Sequence, residues 1–169
     1  KSVARREKCP SMKDPLSFQK VMREYMDAVT SLSRRIVSLI AESLNLPPNH
    51  FNDAMCCDLP MASLRLLHYS ATKSNTDLGR FACGAHSDYG MITILLTDDQ
   101  NGLEIFDKMH SKQWIPVPSI SNTFVVNLGD MLERWTNDVY RSTLHRVVNS
   151  SGHERYSIPF FYEPAFDTV

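Results

Sequence analysis

Apolar positions recur every three or four residues along Phe18, Met22, Tyr25, Val29, Leu32, Ile36, Leu39 and Ile40. That spacing draws one apolar stripe down a long amphipathic helix and predicts it over about residues 15–45. Asp14-Pro15 opens it with a capping carboxylate and a proline at the first helical position. Asn45-Leu46-Pro47-Pro48-Asn49 ends it. After residue 60 the rhythm changes. Segments become short, rich in Val, Ile, Leu, Thr, Phe and Tyr, and bounded by Gly, Asn, Asp or Pro. Strands are predicted near 63–69, 80–86, 91–97, 102–106, 113–117, 123–127, 144–148 and 155–162. Residues 75–80 are predicted as a loop, 98–102 as a hairpin turn, 127–130 as a second turn, and 131–135 as a helical turn. Short strands at this spacing indicate a sandwich or barrel rather than a βαβ sheet. The predicted fold is mainly β with flanking α: a jelly roll, or double-stranded β-helix, with the long helix packed outside it.

Composition changes this picture little. The 169 residues suffice for one domain with a sizeable core. A net charge of −1 gives no basic footprint for nucleic acid or an anionic membrane. No stretch approaches the ~18 apolar residues of a membrane span. The basic start KSVARREK lacks a following apolar signal core. Cys9, Cys56, Cys57 and Cys83 form no CxxC, and two are adjacent, so free thiols and a cytoplasmic location are expected.

Candidate chemistry begins in GAHSDYGMITILL, residues 84–96. His86 and Asp88 stand two apart, so on a strand their side chains share a face. A third ligand could come from His50, His68, His110, His145 or His153. A jelly roll folds an early strand beside a late one, which favours His145, at the start of a late strand. Two histidines and a carboxylate compose the facial set of non-haem Fe(II) oxygenases, and the same donors also suit zinc. Arg155 and Ser157 again stand i and i+2 on one strand. A guanidinium and a hydroxyl together suit one carboxylate. Tyr69 adds a phenol on the strand before His86.

Taken in order, LRLLHY, GAHSDYGMITILLTDD, NGLEIF, QWIPV, FVVNLGDMLERWTN, YRSTLHRVVN and ERYSIPFFYEP carry a stronger signal than any single motif. From Leu64 to Pro164 the chain resembles the 2-oxoglutarate- and Fe(II)-dependent dioxygenases, in the isopenicillin N synthase-like branch of plants and fungi. The resemblance implies that His86, Asp88 and His145 match the iron ligands. It implies that Arg155 and Ser157 match the pair binding the distal carboxylate of 2-oxoglutarate, and that Tyr69 matches a tyrosine on the same carboxylate. Where the family often has Asn-Tyr-Tyr, this chain has Leu67-His68-Tyr69, so one polar contact is absent. The implied cofactor is Fe(II), with 2-oxoglutarate and O2 as co-substrates and ascorbate as an accessory reductant. The implied reaction hydroxylates or desaturates a small organic molecule and releases succinate and CO2.

Residues 1–60 are read as a lead-in and flanking helix, part of a longer N-terminal region in the family, and 61–169 as the jelly-roll domain. Family members are longer, so the chain reads as cut at both ends. A monomer is expected, with missing flanks favouring self-association. Two rival readings stand: an oxidase with the same triad that does not use 2-oxoglutarate, like 1-aminocyclopropane-1-carboxylate oxidase or isopenicillin N synthase, and a non-catalytic metal-binding jelly roll.

Overall fold

The structure, a computed structural model, describes residues 16–54, 61–165 and 168. Helix α1 spans Leu16–Ser43 and α2 spans His50–Ala54. Among the described residues nine strands follow: β1 Met61–Leu64, β2 Leu67–Tyr69, β3 Cys83–His86, β4 Ile92–Thr97, β5 Leu103–Phe106, β6 Trp114–Pro116, β7 Val125–Leu128, β8 His145–Val147 and β9 Arg155–Glu163. Helix α3, Asp130–Trp135, lies between β7 and β8. The strands form two antiparallel sheets. One runs β1-β9-β4-β7 with β2 also paired to β9, and the other runs β3-β8-β5-β6. Strands distant in sequence are neighbours in both sheets, as in a jelly roll.

The period-2 alternation of β4 and β9 divides their side chains between two environments. Ile92, Ile94, Phe160 and Tyr162 face one way and pack in a buried cluster with Val29, Val37, Ile40 and Ala41 of α1, Phe51 of α2 and Leu132 of α3. Thr93, Leu95, Arg155, Ser157, Pro159 and Phe161 face the other way and line a cavity between the sheets. One strand thus supplies core on one side and chemistry on the other.

Three details differ from the sequence reading. The strand expected over 63–69 is split into β1 and β2, although its register is continuous: Leu64 faces Phe160 and Leu67 faces Ser157. Arg65 lies opposite Pro159 and donates its N–H to the Pro159 carbonyl at 3.0 Å. Proline has no N–H to return, so the ladder lapses there. The strand expected from residue 80 starts only at Cys83, after a tight turn at Thr76–Leu78 that Asn75 caps and Gly79, at φ 67°, closes. On α1, Leu39 is 63% exposed, while Val37 and Ala41 are fully buried. Leu39 follows Val37 by two residues, about 200° around a helix, and so turns away from the buried face.

No helix among the described residues is long and apolar enough to cross a membrane. Cys83 is a free thiol; Cys9, Cys56 and Cys57 lie outside the described residues.

Candidate metal centre and anion pocket

The pairing of β3 with β8 sets His86 directly opposite His145. Their rings lie 4.3 Å apart between centroids. Each ring is fixed by its own backbone. His86 Nδ1 lies 2.8 Å from the Gly84 carbonyl, and His145 Nδ1 lies 2.9 Å from the Thr143 carbonyl. A carbonyl only accepts, so both Nδ1 atoms carry the proton. Both Nε2 lone pairs are left free, the arrangement seen in metal-bound histidines. Each Nε2 lies 3.9 Å from Asp88 Oδ1. That is too long for a hydrogen bond. It is within the reach of one cation bonded to both atoms at about 2.0–2.2 Å.

Asp88 is buried, and its other oxygen is occupied. Oδ2 accepts from Thr93 Oγ1 and from Asn127 Nδ2, each at 2.6 Å. These donors orient the carboxylate so that Oδ1 faces the imidazoles. Thr93 and Asn127 are cross-strand partners on β4 and β7, which explains how two distant residues meet one oxygen. The loop carrying Asp88 is laced to the start of α3. Asp130 N–H donates to the Asp88 carbonyl at 2.8 Å, Met131 N–H to Tyr89 at 3.0 Å, and Gly129 N–H to Met91 at 3.0 Å. Gly129 is required here, since a Cβ on it would collide with the Gly90 carbonyl.

His86, Asp88 and His145 offer three donor atoms within 4.8 Å of one another. Nitrogen and oxygen donors, no thiolate, and an open side toward the cavity fit a divalent ion that keeps positions free for further ligands. Cys83 Sγ lies 3.8 Å from His86 Nδ1 at the edge of the set. Burial, and then the negative charge of Asp88, push its thiol pKa up. The remaining histidines lie elsewhere. His50 stacks edge-on against Phe51, His68 stacks on Tyr156, and His110 sits beside Asp107. His153 lies in the turn before β9, its carbonyl held by Asn149.

The cavity that opens beside the three donors has a volume of about 290 Å³. Arg155 lines it and is only 3% exposed. Its Nε donates to the Gln100 carbonyl at 3.3 Å, and its guanidinium lies 5.2 Å above the Tyr69 ring. Among the described residues no carboxylate pairs with it. A buried guanidinium without a counter-ion is costly unless an anion arrives. Ser157, also buried, lines the same cavity two residues along β9, and its hydroxyl has no protein partner among the described residues. Tyr69 faces Arg155 across the β2–β9 pairing. All six residues singled out in the sequence therefore border one space. Thr93 was not singled out. The signal was a hydroxyl in the apolar run Ile92-Thr93-Ile94, where a buried polar group needs a partner. Arg65, which also lines the cavity, was missed as well.

Known proteins resemble this chain in sequence and in fold. The profile of the 2OG-Fe(II) oxygenase superfamily matches residues 61–164. The 2-oxoglutarate-dependent dioxygenase traH of Penicillium crustosum is 42% identical over 151 residues, covering 89% of this chain and 45% of its own. The solved structure of JOX2 in complex with 2OG, Fe and JA superposes with a TM-score of 0.82 at 33% identity, over 94% of this chain and 46% of the other. The dioxygenase for auxin oxidation 1 from Arabidopsis thaliana, solved as a complex with 2-oxoglutarate, gives a TM-score of 0.79 at 28% identity, over 91% and 55%. The chain spans about half the length of the curated relatives it matches. A profile match over most of the chain, on two antiparallel sheets that bring two histidines and an aspartate together, leaves one assignment: the chain belongs to the 2OG-Fe(II) oxygenase superfamily.

Proposed function

We propose that residues 61–169 form the catalytic jelly roll of a 2-oxoglutarate-dependent dioxygenase acting on a small organic substrate, with residues 1–60 as its flank and α1 docked outside the barrel. In this reading His86, Asp88 and His145 hold Fe(II), and Arg155, Ser157 and Tyr69 take the distal carboxylate of 2-oxoglutarate. The observation that carries it is the pairing, in one cavity, of three converging metal donors with a buried, counter-ion-free arginine. A zinc site would account for the donors but not for the arginine.

Bound iron supplies the oxidising chemistry, with O2 as oxidant and 2-oxoglutarate leaving as succinate and CO2. The chain does the rest. The two backbone carbonyls at Gly84 and Thr143 keep both imidazoles in the ligating tautomer. Thr93 and Asn127 hold Asp88 to a single free oxygen. That leaves the cavity side of the site open for co-substrate and O2. Arg155 neutralises one carboxylate and fixes its fork in a plane, and Ser157 adds a hydroxyl donor. Leucine, valine and proline side chains wall the cavity and exclude bulk water.

The test is an anaerobic titration of Fe(II)-loaded protein with 2-oxoglutarate, followed by visible absorption. Chelation of the iron gives a saturable charge-transfer band. Arg155→Leu should retain iron and require at least ten-fold more 2-oxoglutarate for the same band. No band with iron demonstrably bound overturns the use of 2-oxoglutarate in favour of the oxidase without it. No iron uptake by folded protein overturns the metal assignment.

A further inference from the structure

One carboxylate outside the metal set closes a ring of bonds around Arg155. It belongs to Asp98, in the turn between β4 and β5. These two strands lie in different sheets, so the turn carries the chain from one sheet to the other, beside the start of β9. Asp98 N–H donates to the Tyr156 carbonyl at 3.2 Å, which carries the β4–β9 pairing one residue beyond Thr97 and Ser157. The return bond is not made by its backbone. The Asp98 carbonyl is turned away and accepts from the Ser119 hydroxyl. Its side-chain Oδ2 accepts the Tyr156 N–H instead, at 2.5 Å.

The other oxygen acts on the arginine itself. Asp98 Oδ1 accepts the Gln100 N–H at 3.1 Å. The carbonyl of the same Gln100 accepts from Arg155 Nε at 3.3 Å. A single carboxylate thus holds the backbone amide next to Arg155 and also the residue whose carbonyl anchors the guanidinium. With Nε engaged and the Tyr69 ring 5.2 Å from Cζ, the two terminal nitrogens are left without a protein partner among the described residues. The anchor matters because the spaces on the two sides of Arg155 are unequal. Beside Gln100 and Ser119 there is a void of only about 10 Å³, whereas the main cavity offers about 290 Å³. A long side chain facing that larger space has room to stray, and ordering it costs rotamer entropy when a ligand binds. None of the bonds of Asp98 touches His86, Asp88 or His145.

We infer that Asp98 is a positioning residue of this site: through Gln100 and Tyr156 it fixes the reach of the Arg155 guanidinium, and so sets the affinity for the distal carboxylate of 2-oxoglutarate. The inference rests on the 2-oxoglutarate reading above.

The test is the anaerobic charge-transfer titration of Fe(II)-loaded protein with 2-oxoglutarate, run on wild type, Asp98→Asn, Arg155→Leu and the double variant. An amide keeps one acceptor and sets an NH2 against the second N–H donor, so one arm of the ring is lost. Asp98→Asn should take up iron normally and need about five-fold more 2-oxoglutarate, the worth of one modest hydrogen bond. Asp98→Ser leaves one acceptor in place of two, should behave alike, and serves where the first variant does not fold. In the Arg155→Leu background the Asp98 substitution should add no further loss, because a group acting through the arginine has nothing left to act on. A general weakening of the fold would not be silenced in this way. Unchanged 2-oxoglutarate affinity in both Asp98 variants overturns the inference. So does an equal loss with and without Arg155. Failure of both variants to take up iron also overturns it, since the carboxylate would then hold the fold as a whole. Absence of the band in wild-type protein would instead defeat the functional reading on which the inference rests.

Discussion

Thr93 Oγ1 donates to Asp88 Oδ2 at 2.6 Å, and Asp88 Oδ1 is thereby the oxygen that faces both imidazole Nε2 atoms. The bond is buried, so water cannot replace the hydroxyl at low cost. Thr93→Val keeps the shape and removes the donor. Asn127 still holds the carboxylate from one side. Supporting groups of this kind typically govern 10–100-fold in metal affinity, and a loss of about ten-fold is expected, measured by competition with a chelator. Thr93→Ser should retain wild-type affinity. Unchanged affinity in Thr93→Val would show that Asn127 alone orients Asp88.

Gly129 and Gly84 make a contrasting pair. A Cβ at Gly129 meets the Gly90 carbonyl and lies 3.0 Å from the Asp88 carbonyl, both backbone atoms that cannot swing aside. A Cβ at Gly84 meets nothing within 4 Å. Gly129→Ala should therefore destabilise the fold by roughly 1–3 kcal/mol, the usual range for overpacking. It should also weaken metal binding, because the displaced backbone carries Asp88. Gly84→Ala should leave the unfolding midpoint in place. Urea unfolding of both variants checks this, and equal midpoints would contradict the close-approach reading of Gly129.

Much of this was legible in the chain because alternation along a strand is local. RYSIPFFY places Arg155, Ser157, Pro159 and Phe161 on one face before any partner strand is known. His86 and Asp88 carry the same signal. The support for Asp88 was not legible in the same way. Thr93 meets it from five residues along the chain and Asn127 from thirty-nine, and only the β4–β7 register makes them neighbours. The split between β1 and β2 likewise depends on which residue faces Pro159, and register is set by tertiary pairing. Arg65 looked like any strand-end arginine until that pairing put its side chain over Phe161.

Arg146 fixes the outer face of the strand that carries His145. Its Nε donates to Glu104 Oε2 at 2.7 Å, and its Cζ lies 4.0 Å from the Trp114 ring centroid and 5.3 Å from that of Phe81. Both charged side chains are largely shielded from solvent. Lysine at this position would keep a charge but lose the planar surface and the directed N–H. Arg146→Lys should lower stability by about 1–2 kcal/mol, with the 2-oxoglutarate titration little changed, since the residue points away from the cavity. Denaturant unfolding reads the stability loss. A stability equal to wild type would mean that the stack adds nothing beyond charge.

Acid stability should depend on Asp107. Its carboxylate closes the turn after β5, accepting from Ser111 N–H at 2.8 Å, His110 N–H at 3.0 Å and Ser111 Oγ at 2.9 Å. These bonds, the Ser111 amide first and the His110 amide next, hold its pKa well below the usual carboxylate range. All of them favour the charged form. A carboxyl group whose pKa is depressed on folding contributes stability that is complete above the unfolded value, about 3.9. That stability is lost as pH falls from there through the folded value. The window therefore lies below about pH 4, and nothing from this group changes between pH 5 and 8. Asp107→Asn cannot titrate and lacks the charge that strengthens each bond, so it should be less stable than wild type at pH 7. The gap between the two proteins should narrow as the pH is lowered from 4 to 2. Thermal unfolding followed at a series of pH values checks it, and a gap that stays constant down to pH 2 would remove Asp107 from the account of acid stability.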